Sequence, residues 1–251
     1  MIEISPKTYS RAVGIFLILT IIGGGIGEVY VPSQISGADA AERVAQLRLH
    51  HDLFRLGFAA YLVEAFSDVV LAWLFYVLLR PVHRDLALLS ALFGVVSMTL
   101  FAVMQMFYFS APMFLTGSKY LAHFSERELE GLASAFLSIS GNLSSVFMLF
   151  YGTAWMIRGY LTFRSGYLPA FLGALMMLAG AGFFAKNVTK VLAPAYSFDL
   201  LLAPMFLNVI LLAVWMLAKG VDGAKWQAAR RASAEATLSE RNRSPAEGAS
   251  R

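Results

Sequence analysis

Six long apolar stretches separated by polar connections dominate the pattern of this 251-residue chain. The first, 12–31, runs twenty residues without Lys or Arg and holds one acid, Glu28, close to its end. The others cover 54–79, 86–108, 133–157, 170–184 and 200–217. At ~1.5 Å rise per residue, about twenty helical residues cross a ~30 Å hydrocarbon core. The pattern therefore predicts an all-α fold, a polytopic transmembrane helical bundle of six spans with both ends of the chain on one side. The fifth stretch is the shortest, because Lys186 and Asn187 follow it at once. The first is not read as a cleaved leader: its apolar run is too long, and Tyr30, Val31 and Pro32 stand where small residues would be cut.

The connections are unequal. Those at 80–85 and 158–169 are short, whereas 32–53 and 110–132 exceed twenty residues and carry any elaborated surface. In the first long loop Ala41, Val44, Leu47 and His51 recur at helical spacing, with Asp39 and Glu42 placed as a reciprocal cap, which predicts a short amphipathic helix. Ser125-Glu126-Arg127-Glu128 is a second capping box, and it starts the fourth helix before the hydrocarbon. His83 reads as part of the flank between spans two and three. After Lys219 the composition turns to Ala, Ser, Arg and Glu. The chain thus divides into a six-helix transmembrane domain, 1–220, and a basic tail, 221–251. The tail is expected to be disordered, unable to bury a core from Val221 onward, with at most a fraying helix over 222–240. No internal repeat emerges, so nothing in the pattern supports an inverted-repeat transporter.

Composition sharpens this reading. With 58% hydrophobic and 14% charged residues and a mean hydropathy of +0.65, the chain is too apolar for a soluble domain of its size. It has no cysteine, which excludes disulfides, thiolate nucleophiles, thiolate zinc sites and iron–sulfur clusters. A net charge of +4 does not call for nucleic acid here, because basic residues serve membrane orientation. Of the 20 Lys and Arg residues, 13 fall on the side of the termini when Arg158 and Arg164 are counted as flank. Both termini are accordingly expected in the cytoplasm, much of the margin coming from the tail. Trp73, Trp155 and Trp215 lie toward the same ends of their spans and Trp226 just beyond, as expected of interfacial indoles.

The chemistry concentrates in span two, where Glu64 and Asp68 are four residues apart and share a helical face. An ionised carboxylate at that depth costs at least ~2.5 kcal/mol, so the two acids are expected to be protonated, paired or facing water. They fit a proton or cation relay or an anchor for a polar ligand; they fit equally a pair of buried acids that fix helix packing. Asn142 and Asn208 fall near the same depth, with Ser138 and Ser145 on the Asn142 face. Ser134, Ser138, Asn142 and Ser145 also describe a small polar stripe that lets helices pack closely, as do Gly23 and Gly27. Near the outer interface Glu28 and Arg55 are expected to form a charge pair if spans one and two are neighbours. His50, His51, Asp52 and His123 lack the spacing that puts two imidazoles on one helical face, so no metal site is predicted. No nucleophile elbow, phosphate-binding loop or dinucleotide fingerprint is present, and no cofactor is called for.

Several motifs resemble one family. They are Ser5-Pro6-Lys7 with Tyr9, Glu28, Phe54-Arg55-Leu56-Gly57, Asp68, and Tyr76-Val77-Leu78-Leu79-Arg80-Pro81-Val82. Gly159-Tyr160-Leu161, Arg164-Ser165-Gly166-Tyr167-Leu168-Pro169 and Lys219-Gly220 complete the set. Together they resemble the uncharacterised bacterial integral membrane proteins grouped as domain of unknown function forty-three eighty-six. The resemblance implies a six-helix, multi-pass protein of the bacterial inner membrane and carries no activity with it. Members often have an arginine in the first half of span three and an acid in the middle of span six. This chain has Gly94 or its neighbours and Asn208 there, which leaves Glu64 and Asp68 fewer intramembrane cations to meet. Asp68, Arg55 and Glu28 match the family pattern and Glu64 does not, so Asp68 is the stronger candidate.

Three functions fit these residues. The first is binding or transport of a small solute or protons through a midplane pocket around Glu64, Asp68, Asn142 and Asn208, with protonation of Asp68 coupled to occupancy. The second is a structural or regulatory component of the lipid bilayer whose outer loops or tail hold a protein partner, or a second copy of the chain. The third is an intramembrane enzyme limited to acid–base chemistry.

Overall fold

A computed structural model describes residues 5–35, 42, 45–46, 49–115 and 121–248, with side chains omitted at 51 and 237–248. The amphipathic helix expected around Ala41, Val44 and Leu47 falls largely outside the described residues. Seven helices of more than one turn are present, and no strand occurs among the described residues. They are α1 (Pro6–Gly24), α2 (His51–Leu79), α3 (Arg84–Ser110), α4 (Glu126–Arg164), α5 (Ala170–Leu192), α6 (Ala203–Ala218) and α7 (Gly223–Gly248). The first six, with their extensions, are each long and apolar enough to cross a membrane.

Local sequence explains where these helices start. Ser5 caps α1 by accepting from the Thr8 amide, with Pro6 in the first turn. His83 Nδ1 accepts from the Leu86 amide and opens α3, a capping role beyond that of a flank. Ser125 and Glu128 form the expected reciprocal box at α4. Helix α4 has 39 residues, roughly 58 Å at ~1.5 Å per residue, so it extends well beyond the hydrocarbon. Helix α5 continues past Lys186 and Asn187, where the pattern predicted an early end. Asn187 donates to the Phe183 carbonyl one turn back, and Lys186 pairs with Asp199 in the connection to α6. Both polar groups are satisfied within the helix or beside it, so neither stops it.

The six spans form a closed ring in chain order. Each packs on the next, and α6 returns to α1. The tightest seam joins α4 and α5, where Gly152, Gly159, Gly173 and Gly180 bring backbone against backbone: a Cβ on Gly180 would fall on the Gly152 carbonyl. Helix α1 crosses α2 the same way, Gly23 lying on Ala60 and Glu64 and Gly27 on the Tyr61 ring. With no hydrophobic gain between helices in lipid, such small-residue contacts supply the packing.

The start of the tail is part of this core. Gly220, at a φ of 68° that favours glycine, ends α6 with its amide on the Trp215 carbonyl. The next amide, Val221, donates to Ser10 Oγ of α1 at 3.0 Å. Val221 and Trp226 are then buried in the main apolar cluster. Trp226 Nε1 and the Tyr167 hydroxyl both donate to the Leu78 carbonyl, at 3.0 and 2.6 Å, in the last turn of α2 where carbonyls lack helical partners. The expectation that nothing from Val221 onward is buried is thereby corrected, because one indole with a carbonyl to bond is enough to seat the segment. Trp155 is buried as well, so the interfacial reading does not apply to it, whereas Trp73 is exposed and Trp215 partly exposed. The first described residues meet the start of α7 at this face, where Ser5, Pro6 and Trp226 line one recess.

Replacing Trp226 by alanine is expected to destabilise the solubilised protein by about 3–5 kcal/mol, and by phenylalanine, which loses the bond to Leu78, by about 1 kcal/mol. Thermal unfolding in detergent checks this order; a Trp226→Ala protein that melts like wild type would refute the anchoring of the tail.

Candidate functional site

One stripe of α2, Gly57, Tyr61, Glu64 and Asp68 at i, i+4, i+7 and i+11, faces the ring interior. Glycines of α1 allow the approach. A Cβ at Gly24 would stand 3.2 Å from Glu64 Oε1, so bare backbone passes the carboxyl. Just beyond, at Gly25–Tyr30, the helix widens into a π turn that contains Glu28. Such wide turns interrupt the regular ladder and are frequent at functional sites.

Between α1, α2, α4, α5 and α6 lies a cavity of about 310 Å³. Glu28, Glu64 and Asp68 all line it, with Thr20 and Tyr151; the rest of the wall is apolar, chiefly Phe147, Phe183, Met205 and Val209. Its rim includes Val29, Phe206 and Ile210, which are exposed on the outside of the bundle, so it opens sideways between α1 and α6. A second cavity of about 520 Å³, lined by Pro32, Tyr61, Tyr108 and Ser144, adjoins the first at Glu28 and Met148.

The three acids differ in their partners. Asp68 is buried and accepts a hydrogen bond from Thr20 Oγ1 at 3.1 Å, and Tyr151 lines the same cavity. Glu64 is 9% exposed, and its Oε2 is buried without a hydrogen-bond partner. Glu28, in the π turn, faces both cavities.

Arg158 is the residue that sequence reasoning misplaced. Counted as flank, it is 3% exposed inside the ring. Its Nε donates to Ser90 Oγ at 3.2 Å, and its guanidinium lies over the rings of Phe75 and Trp155. A Cβ at Gly94 would stand 2.5 Å from Nη2, so the absence of a side chain there makes room for the cation. The cation thus reaches span three from span four, opposite Gly94. The shortage of intramembrane cations expected for Asp68 is thus corrected. The available signal was the stripe of small residues Ala87, Ser90, Gly94 and Ser97 at helical spacing, facing a span followed by arginine.

Other expected groupings do not assemble. Glu28 and Arg55 form no ion pair among the described residues, because Arg55 is exposed and lies off the stripe of α2 that meets α1. Asn142 is exposed on α4 and lines neither cavity, and Ser138 is exposed beside it. Asn208 is fully buried in the wall of the ring, outside the cavity lining, with both side-chain polar atoms unpartnered.

A closed ring of six apolar helices around an acid-lined cavity is the architecture of a multi-pass membrane protein. The chain belongs to the family described as domain of unknown function (DUF4386), which matches residues 12–220. It is also 28% identical over 153 residues to an uncharacterized protein of Archaeoglobus fulgidus, a stretch covering 61% of this chain and 76% of that one. No solved structure matches. The family match includes Glu28, Glu64, Asp68 and Arg158 and ends at Gly220, before the seated Trp226.

Asp68 and Arg158 are opposite charges buried in the same ring, though no ion pair joins them among the described residues, and Arg158→Gln is expected to cost more stability in wild type than in an Asp68→Asn background. The coupling should be about 1–3 kcal/mol in a double-mutant cycle read by thermal unfolding. Additive losses would show that the two charges do not interact.

Proposed function

We propose that this protein binds a small solute carrying one positive charge, or conducts protons, through the cavity lined by Glu28, Glu64 and Asp68. One observation carries the reading: a mostly apolar cavity holds three carboxyl groups, and an oxygen of Glu64 is buried in its wall without a partner. A buried acceptor left unpaired costs about 1–3 kcal/mol, more if charged, and a ligand ammonium or a proton supplies what is missing. Asp68 has Thr20; the buried oxygen of Glu64 has no partner, so Glu64 is the primary anchor and Glu28 the second acid on the way in. The apolar wall selects a solute with a hydrocarbon body, and the sideways opening lets it enter from the lipid. In this proposal the protein sits in a bacterial inner membrane with both termini cytoplasmic, and the adjoining cavity leads outward.

The test is ligand-induced thermal stabilisation of the detergent-purified protein with matched pairs of alkyl amines and alkyl alcohols. Amines should stabilise wild type, and Glu64→Gln should weaken amine binding about tenfold to a hundredfold, the loss of one charge-assisted hydrogen bond. Asp68→Asn should have the smaller effect. Alcohols that stabilise as well as amines, or undiminished binding by Glu64→Gln, would overturn the cationic reading. The proton alternative is read separately, as Glu64-dependent acidification of proteoliposomes under an imposed potential.

A further inference from the structure

A second concentration of charge lies at the face carrying the termini and is independent of the cavity described above. The turn between α2 and α3 sets Arg80 and Arg84 beside α7. With Tyr76, Arg230 and Ser233 they line a recess of about 230 Å³. On the other flank of α7 a recess of about 400 Å³ is lined by Ser5, Trp226, Arg230 and Arg231, so Arg230 borders both.

Two of these arginines stand over aromatic rings. The Arg80 guanidinium stands 5.9 Å from the Tyr76 ring and that of Arg230 5.6 Å from Trp226, whose indole is fixed by its bond to Leu78. Among the described residues, none lining either recess is acidic, and neither Arg80 nor Arg84 makes an ion pair. Asp85 and Glu235 adjoin Arg84 and Ala234 in sequence but stay outside the lining. The guanidinium groups of Arg80 and Arg84, with Arg230 bordering the same recess, are donors that suit a phosphate, since the planar fork matches its oxygens. The recess also sits at the ends of membrane-crossing helices, the level of lipid headgroups.

We infer that the recess between the α2–α3 turn and α7 binds a phosphate group, either that of an anionic phospholipid headgroup or free phosphate. The full chain, purified in a neutral detergent, would be titrated with dihexanoyl phosphatidylglycerol and, separately, with inorganic phosphate. Binding would be read by native mass spectrometry and thermal stabilisation at two salt concentrations. Saturable, salt-sensitive binding is expected, weakened at least tenfold by Arg80→Gln with Arg84→Gln and by Arg230→Gln, and unchanged by Arg127→Gln at the other face. Binding of phosphatidylglycerol alone identifies a lipid site, and binding of both probes a general phosphate site; either supports the inference. No saturable binding of either probe, or binding that survives the Arg80/Arg84 double substitution, overturns it. Because Arg230 stacks on Trp226, the Arg80/Arg84 pair decides if Arg230→Gln unfolds.

Discussion

A charge inside an apolar ring must be met by polar or aromatic groups, and the packing of α2, α3 and α4 is arranged around that requirement. Asp68 on α2 and Arg158 on α4 are both buried in the ring, no ion pair joining them among the described residues, and each is held by neutral groups: Thr20 on the acid, Ser90 and two aromatic faces on the guanidinium. The room for that guanidinium exists because α3 presents Gly94 to it. A buried charge is tolerated only where its donors and acceptors are met, which is why serine, threonine and aromatic side chains gather at this level.

The balance of charges decides what the cavity can do. Thr20 answers one of three acids; Glu64 and Glu28 remain for whatever occupies the space beside them. The geometry of α1 keeps that space open. Its glycines pass close to α2 over Gly23 and Gly24, then the π turn at Gly25–Tyr30 swings Glu28 into the wall shared by both cavities. Toward the termini, by contrast, α1 and α6 close tightly, with Leu217 against Gly14. The same pair of helices is sealed at one end and parted at the other.

The sealed end is completed by groups from distant parts of the chain. The Leu78 carbonyl, near the end of α2, receives donors from the α4–α5 turn and from α7, and Ser10 receives the amide that follows α6. These bonds meet groups that a helix end would otherwise leave unsatisfied where water is scarce. They seat α7 against the bundle and place its arginines beside those of the α2–α3 turn.

Much of this was legible from the residues. Six apolar stretches fixed the number of spans, because the bilayer demands about twenty apolar helical residues whatever the fold. The Glu64 and Asp68 stripe followed from helical geometry, and the Ser125 box from capping chemistry. What sequence could not reveal depends on which helices meet. Arg158 reads as a cytoplasmic flank until α3 is seen to offer it Gly94. Trp226 reads as a tail residue until Leu78 offers it a carbonyl. Asn142 and Glu64 look alike in depth, yet rotation about the helix axis turns one outward and the other into the cavity. Position along an apolar stretch is a one-dimensional property and can be read directly from the residues. Partner and facing are set by the closure of the ring, because contacts between helices join residues far apart in the chain.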